Sequence, residues 1–566
     1  MAIKDVIDHF DGKTTTYEGG VGYHTTFKET LAEFFSLGLL NGKFYQSKEE
    51  VLSEAVEIYQ KALTECPEFA SKCAIYGAEK NSLKLVPVLW LVYLSTLEDK
   101  ALFNKVFPRI ARNVSLLHDF MELCRKTTIR KGMGRSVKNA VNNQLHRLLN
   151  EYSVSRNKGT IEEIVRVTRP HFEEEQFQNY MKYVIKDELA FDRARELKRI
   201  IEKLKRNEVD DDTLETITRH SLQLEEIKHA INNGSPNGKE KIIAMGRAIA
   251  DEKDMGKVAD LQAKIMSIKE KEAKALGAEQ KQLLYKHLYK GLRYAALLLN
   301  LVALERVYAG KVNRVSKHSR NGGSFLQNEV VKTAIPEDLS LMVQAKIESV
   351  EDYRSSKILP FTLINAHRMV KTEAFKQSIE KILITCAHEA FDIPKETDIL
   401  VAVDTSGSMR SRLNDSLMIV DVASFLGALI VSSHEKTTVC SVAEHCKKVP
   451  LQKEDNLFKI ADAITGTDVG GSTYLGEVMH EYRGQKYLLL LTDSEAADNL
   501  ESKWLHAKKP DDAKLIVWQL QAYQTKLSNN RSVIYFAGFS DRLLELLKQI
   551  IEEKGTQIEE IEAVVL

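Results

Sequence analysis

The sequence predicts a multidomain chain in which an all-α module of paired helices is followed by a doubly wound α/β domain. Three observations carry that prediction. The chain has 566 residues, too many for one hydrophobic core. Up to residue 391 apolar residues recur at helical spacing between short punctuators, whereas from Glu396 short apolar runs alternate with helical stretches. The first of those runs, Ile399 to Val403, is almost wholly apolar, as a central parallel strand requires, and it ends in Asp404.

Charge and cysteine usage narrow the function classes. Lys+Arg and Asp+Glu are equal at 80 each, so net charge points to no partner, but its distribution does. From Glu396 onward there are 18 basic and 26 acidic residues, which leaves 62 and 54 in the helical part. Within that part Lys105 to Arg147 holds ten basic residues against only Asp119 and Glu122. Six cysteines form no CxxC pair and sit in apolar stretches, the pattern of reduced core thiols in an intracellular, cytoplasmic protein. The start MAIKDVIDHFDGK has no basic-then-apolar signal pattern, and no apolar run reaches the length of a membrane span.

The helical module opens with a Gly- and Thr-rich arm over residues 1 to 30. Phe34, Phe35, Leu39 and Leu40 then form one apolar face. Ser47 with Glu50 three residues on is a capping box for a helix running to Cys66, and Pro67 starts the next. Further helices are expected over Leu83 to Leu97, Ala101 to Cys124, Met133 to Tyr152, and from Thr160, capped with Glu163, to Pro170. Short sequential helices of this kind suit antiparallel pairs stacked as a HEAT-like solenoid. Residues 172 to 290 have denser mixed charge and read as a charged helical elaboration with a surface turn at Asn232 to Gly238. A coiled-coil segment is expected around Met255 to Leu276. The most apolar helix, Tyr289 to Tyr308, leads to a basic loop and helices over Pro336 to Ser349 and Lys371 to Phe391. Asp392 to Thr397 is the junction, so the predicted domains are 1–391 and 396–566.

In the second domain, helices are expected over Asp415 to Ser432, Asn456 to Thr465, Leu475 to Glu481 and Arg542 to Glu553. Strands are expected at Lys436 to Val442, Tyr487 to Leu491, Lys514 to Gln519 and Ser532 to Ala537. One helix per strand makes parallel crossover units, five strands and an edge strand. At the end of the first strand, Asp404, Ser406 and Ser408 place an oxygen on every second residue of a Gly-containing loop, where open α/β sheets hold ligands. Gly470-Gly471-Ser472-Thr473 adds a second hydroxyl-bearing loop, and a second buried strand ends in Asp493. Oxygen donors select a hard cation, Mg²⁺ first, then Mn²⁺ or Ca²⁺.

A basic segment supplies the nucleic-acid candidates. Arg125, Lys126, Arg130, Lys131, Arg135 and Lys138 lie in a stretch nearly free of acid, and Lys131-Gly132-Met133-Gly134-Arg135 lets the backbone approach phosphates before a helix begins. Arg135, Lys138, Asn142 and Arg147 share much of one helical face, and Arg166 and Arg169 end the following helix beside His171. Lys311, Arg314, Lys317, His318 and Arg320 form a second cluster on the loop ending in Gly322-Gly323. A solvated basic face is the competing explanation for both.

Asp404, Ser406, Ser408, Thr473 and Asp493, so spaced, resemble the metal-ion-dependent adhesion site of the von Willebrand factor A family. With Asn41 to Tyr45, Pro67 to Ala70, Ala74 to Tyr76, Leu85 to Leu89, Arg130 to Val137 and Leu359 to Ala366, the chain resembles the TROVE family, proteins similar to the Ro autoantigen and its bacterial counterparts. That resemblance implies an all-α HEAT-like helical-repeat ring followed by a von Willebrand factor A-like domain, monomeric and without enzymatic activity. It implies Y-like non-coding RNA on a basic outer surface, single-stranded ends of misfolded structured RNA in a central hole, and an exoribonuclease as a partner. The chain departs from the family at Thr168-Arg169, where members carry Ser-His. The alternative function is a metal-dependent scaffold that captures a partner's acidic residue. Asp404 and Asp493 near Mg²⁺ would also suit a phosphatase or nuclease, but no nearby Lys, His or Glu supplies an obvious base.

Overall fold

The computed structural model describes residues 13–566 apart from 39, 41–42, 44, 207, 221–226, 228–277, 309–311, 319–323, 331–334, 357, 359, 414–416, 453–455, 522 and 541. The chain divides into two compact units: Met1–Gln144, Lys357–Asn365 and Ile379–Leu566 form one, and Leu145–Ser356 with Ala366–Ser378 form the other. The expected turn at Asn232 to Gly238, the coiled coil at Met255 to Leu276, and Asn41, Gly42, Lys311, Arg320, Gly322, Gly323 and Asp415 lie outside the described residues.

In the first unit the helical half follows its local signals closely. Ser47 caps the helix Lys48–Glu65 with the reciprocal Glu50 bond in place, and Pro67 opens Pro67–Glu79. Helices Phe27–Leu37, Lys48–Glu65 and Leu85–Leu94 bring Phe35, Tyr59, Trp90 and Tyr93 into one buried aromatic cluster. Its polar atoms are satisfied: the Tyr59 hydroxyl donates to the Val86 carbonyl (2.9 Å) and the Trp90 indole to Ser71 Oγ (3.1 Å). The segment expected as one helix over Ala101 to Cys124 is two, Ala101–Ile110 and Val114–Lys126, because Asn113 accepts from the Leu116 N–H and starts a new helix. The basic helix, Arg135–Leu148, is likewise shorter than expected and runs from this unit into the second, where Asn150 caps a separate helix, Glu151–Arg156.

The α/β half is built on a six-stranded sheet. Its strands are β5 (Ile399–Asp404), β6 (Thr437–Val442), β7 (Cys446–Lys448), β8 (Tyr487–Thr492), β9 (Lys514–Gln519) and β11 (Val533–Ala537), in the order β11-β9-β8-β5-β6-β7. All pairs are parallel except β6 with the short edge strand β7. Every residue of β5 and β8 is buried, which explains their uninterrupted apolar sequence. A second, small sheet joins the chain's beginning to this half. Strands β1 (Lys13–Thr15) and β2 (Val21–His24) form a hairpin, and β10 (Thr525–Lys526) pairs with β2. The closing helix Gln557–Glu562 also packs on the N-terminal helices, Gln557 donating to Ser36 Oγ (3.2 Å) and Tyr76 to Glu560 (2.9 Å). His434 is buried and bonds to the Pro394 carbonyl (3.1 Å).

The second unit is helical, with Lys158–Thr168, Glu175–Lys186, Asp192–Lys205, Asp211–Arg219, Ala278–Gly291, Tyr294–Tyr308, Glu337–Ile347 and Val350–Ser356. Thr160 therefore lies inside a helix instead of capping one, and the apolar helix expected from Tyr289 starts at Tyr294 after a break at Leu292–Arg293. The expected basic loop is an antiparallel hairpin, β3 (Val312–His318) with β4 (Ser324–Val330). Among the described residues no helix is long and apolar enough to cross a membrane.

Candidate metal centre

The five oxygen-bearing residues singled out in the sequence converge in the first unit. Asp404 closes β5, and its carboxylate organises the loop that follows: Ser406 N–H donates to Oδ1 (3.0 Å) and the Thr492 hydroxyl to Oδ2 (2.6 Å). Ser406 Oγ and Ser408 Oγ lie 3.2 Å apart, and Ser408 lies beside Asp493. The Thr473 loop is fixed on both sides, by Gly407 N–H donating to the Gly471 carbonyl (3.2 Å) and Ala497 N–H to the Thr473 carbonyl (2.7 Å). All five side chains are at most 1% exposed.

The electrostatics call for a cation. Burial drives the Asp404 and Asp493 carboxyls above the ordinary range, and the Asp404 charge pushes Asp493 further. Glu495 is pushed up to about 7, again mainly by burial. Thr473 Oγ1 and Asp493 Oδ2 are buried with no hydrogen-bond partner among the described residues. Such atoms cost about 1–3 kcal/mol each when unsatisfied, and a hard ion between the loops would satisfy both. The residues present therefore fit a magnesium-class ion. Among the described residues no three His, Cys, Asp or Glu side chains form a metal cluster, which leaves a donor set of two carboxylates and three hydroxyls.

Sequence reasoning missed the shell that the beginning of the chain adds. The Tyr17 N–H donates to Glu495 Oε2 (2.5 Å), and the Tyr45 hydroxyl donates to the Glu18 carboxylate and lies beside Ser408. Tyr17, Tyr45 and Tyr523 pack ring on ring at centroid distances of 5.4 to 5.8 Å. Tyr17 and Glu495 are separated by 478 positions in sequence. The only sequence-level trace was Tyr45, inside a stretch already singled out for its resemblance.

The basic candidates divide by what holds them. Arg125, Lys131 and Arg135 are exposed and Lys138 is half-buried; Arg125 acts on Glu122 through its charge alone. Lys126 pairs with Glu122 (3.0 Å). Arg130 is committed to the loop itself, donating to the Gly132 carbonyl (2.6 Å) and to the Ser95 carbonyl (3.0 Å) and hydroxyl. Asn142 is half-buried on the same helix. In the second unit Arg147 is exposed, Arg166 pairs with Glu162 (2.5 Å), and Arg169 is exposed in the left-handed conformation that ends its helix (φ 51°). Arg314 and Lys317 stand on β3, opposite Asn328 and Phe325.

Fold and site together define a class: a helical module joined to a von Willebrand factor A-like α/β domain with an adhesion-type oxygen cluster at the carboxyl end of its central strand. Among solved structures, that of the Ro (RSR) protein of Deinococcus radiodurans shares this fold. The likeness covers 94% of this chain and 100% of the other at a TM-score of 0.58 and 15% sequence identity. No family model and no curated protein sequence matches the chain.

Proposed function

We propose that this chain is a non-catalytic, RNA-binding protein of the Ro type. In this reading it holds a small Y-like non-coding RNA on a basic surface and the single-stranded ends of misfolded structured RNA in an opening formed by its helical repeats, for RNA quality control or processing. The observation that carries the reading is the segment around helix Arg135–Leu148. There Lys131 and Arg135 stand exposed and without acid partners, at a helix start where free N–H groups also favour phosphate. The shared fold with the Ro protein of Deinococcus radiodurans supports it.

Asp404, Ser406, Ser408, Thr473 and Asp493 would hold Mg²⁺, with Mn²⁺ or Ca²⁺ as substitutes, and the ion would offer an open position to a carboxylate oxygen. This donor set favours a second reading, a scaffold that binds a protein partner through the metal. An exoribonuclease is one partner consistent with RNA processing. The test is a pull-down before and after ribonuclease treatment, repeated with Asp404→Ala. Partners lost on ribonuclease treatment are expected; partners lost only with Asp404→Ala would replace RNA binding with the scaffold.

A further inference from the structure

The turn between β1 and β2 places an acid at the rim of the metal centre. Thr16 to Gly19 is a tight turn, closed by Gly19 N–H donating to the Thr16 carbonyl (3.0 Å), with Gly19 in the left-handed region (φ 88°). The turn is pinned directly beside the Asp493 loop. Gly20 N–H and the Thr16 hydroxyl both donate to the Ala496 carbonyl (3.1 and 2.5 Å), and Tyr17 N–H donates to Glu495. A Cβ on Gly20 would lie 2.2 Å from that same carbonyl oxygen, so only glycine permits the approach.

Glu18 sits at the tip of this turn, half-exposed, and its carboxylate accepts from the Tyr45 hydroxyl, which lies beside Ser408. Stacking of Tyr45 on Tyr17, with near-parallel rings 5.4 Å apart, fixes that link. Glu18 is close enough for its charge to raise Asp404 further, and it also acts on Glu495. Glu18 is outside the donor cluster itself, one tyrosine away from Ser408.

We propose that Glu18 is the built-in acidic ligand of the metal centre, whose carboxylate turns from Tyr45 to the ion's open position and so occupies the place an outside carboxylate would take. The N-terminal hairpin then covers the centre, and capture of an acidic partner requires Glu18 to leave. This rests on the metal reading of the five-residue cluster.

The test uses Mn²⁺ as the probe on the full chain, with affinity from calorimetry and ion hydration from water-proton relaxation, in wild type, Glu18→Gln and Asp404→Ala. Wild type is expected to bind one Mn²⁺ and Asp404→Ala none. Glu18→Gln is expected to bind about 10-fold more weakly, with one additional exchangeable water that acetate displaces. Equal affinity and hydration in wild type and Glu18→Gln would overturn the role of Glu18 while leaving the metal centre standing. Absence of Mn²⁺ binding to wild type, or wild-type binding by Asp404→Ala, would overturn both.

Discussion

Replacing Glu33 with Gln is expected to stabilise the protein at neutral and alkaline pH and to remove a pH dependence that wild type carries. Glu33 lies on helix Phe27–Leu37, 4% exposed, with Oε1 lacking any hydrogen-bond partner among the described residues. Burial pushes its carboxyl from 4.5 to about 8, and the pull of Lys43 offsets this only in part. The unfolded chain releases this proton near 4.5 and the folded chain only near 8. The stabilising contribution is therefore complete below pH 4.5, declines as pH rises, and is fully lost above pH 8. At about 1.4 kcal/mol per pH unit the loss is about 3 kcal/mol at pH 7 and about 5 kcal/mol above pH 8. Asp404, Asp493 and Glu495 are displaced in the same direction, so the informative quantity is the difference between variant and wild type. Thermal unfolding from pH 5 to 8.5 should show melting points that diverge steadily, Glu33→Gln the higher. Parallel curves would refute the reasoning and place the Glu33 carboxyl in contact with water or a cation.

The double variant Lys131→Ala/Arg135→Ala should weaken binding of structured RNA across sequences and reduce the salt slope by about 1.4, two phosphates at about 0.7 each, read from fluorescence anisotropy over a salt series. Arg130→Ala should act differently, lowering stability by releasing Gly132 and Ser95 while leaving the slope nearly unchanged. Gly20→Ala should cost about 2–3 kcal/mol through its clash with the Ala496 carbonyl, and should expose the first two strands to limited proteolysis before the rest of the chain.

Much of the fold was legible wherever the signal is local. The Ser47/Glu50 box, Pro67 and the apolar runs of β5 and β8 each specify an element within a few residues, and each forms as expected. Errors came where one side chain decides a boundary. Asn113 and Asn150 each start a helix where periodicity alone reads straight through, and the Arg314 cluster pairs as a strand with partners on β4, Arg314 with Asn328 and Lys317 with Phe325. Asp404, Ser406, Ser408, Thr473 and Asp493 were readable because each follows a recognisable strand end or glycine turn. Glu18 and Tyr45 were not, since they reach that cluster through contacts hundreds of positions apart in sequence, among them Tyr17 with Glu495 and β2 with β10. Arg130 shows the converse: its charge was visible, but its bonds to Ser95 and Gly132 were not.

The most direct test of the RNA-binding account is the affinity of the wild-type chain for a hairpin RNA with a single-stranded tail, measured at low salt and over a salt titration. The account predicts tight binding that falls linearly on a log–log plot as salt rises. A well-folded protein with no measurable hold on this RNA, with or without its tail, would contradict it.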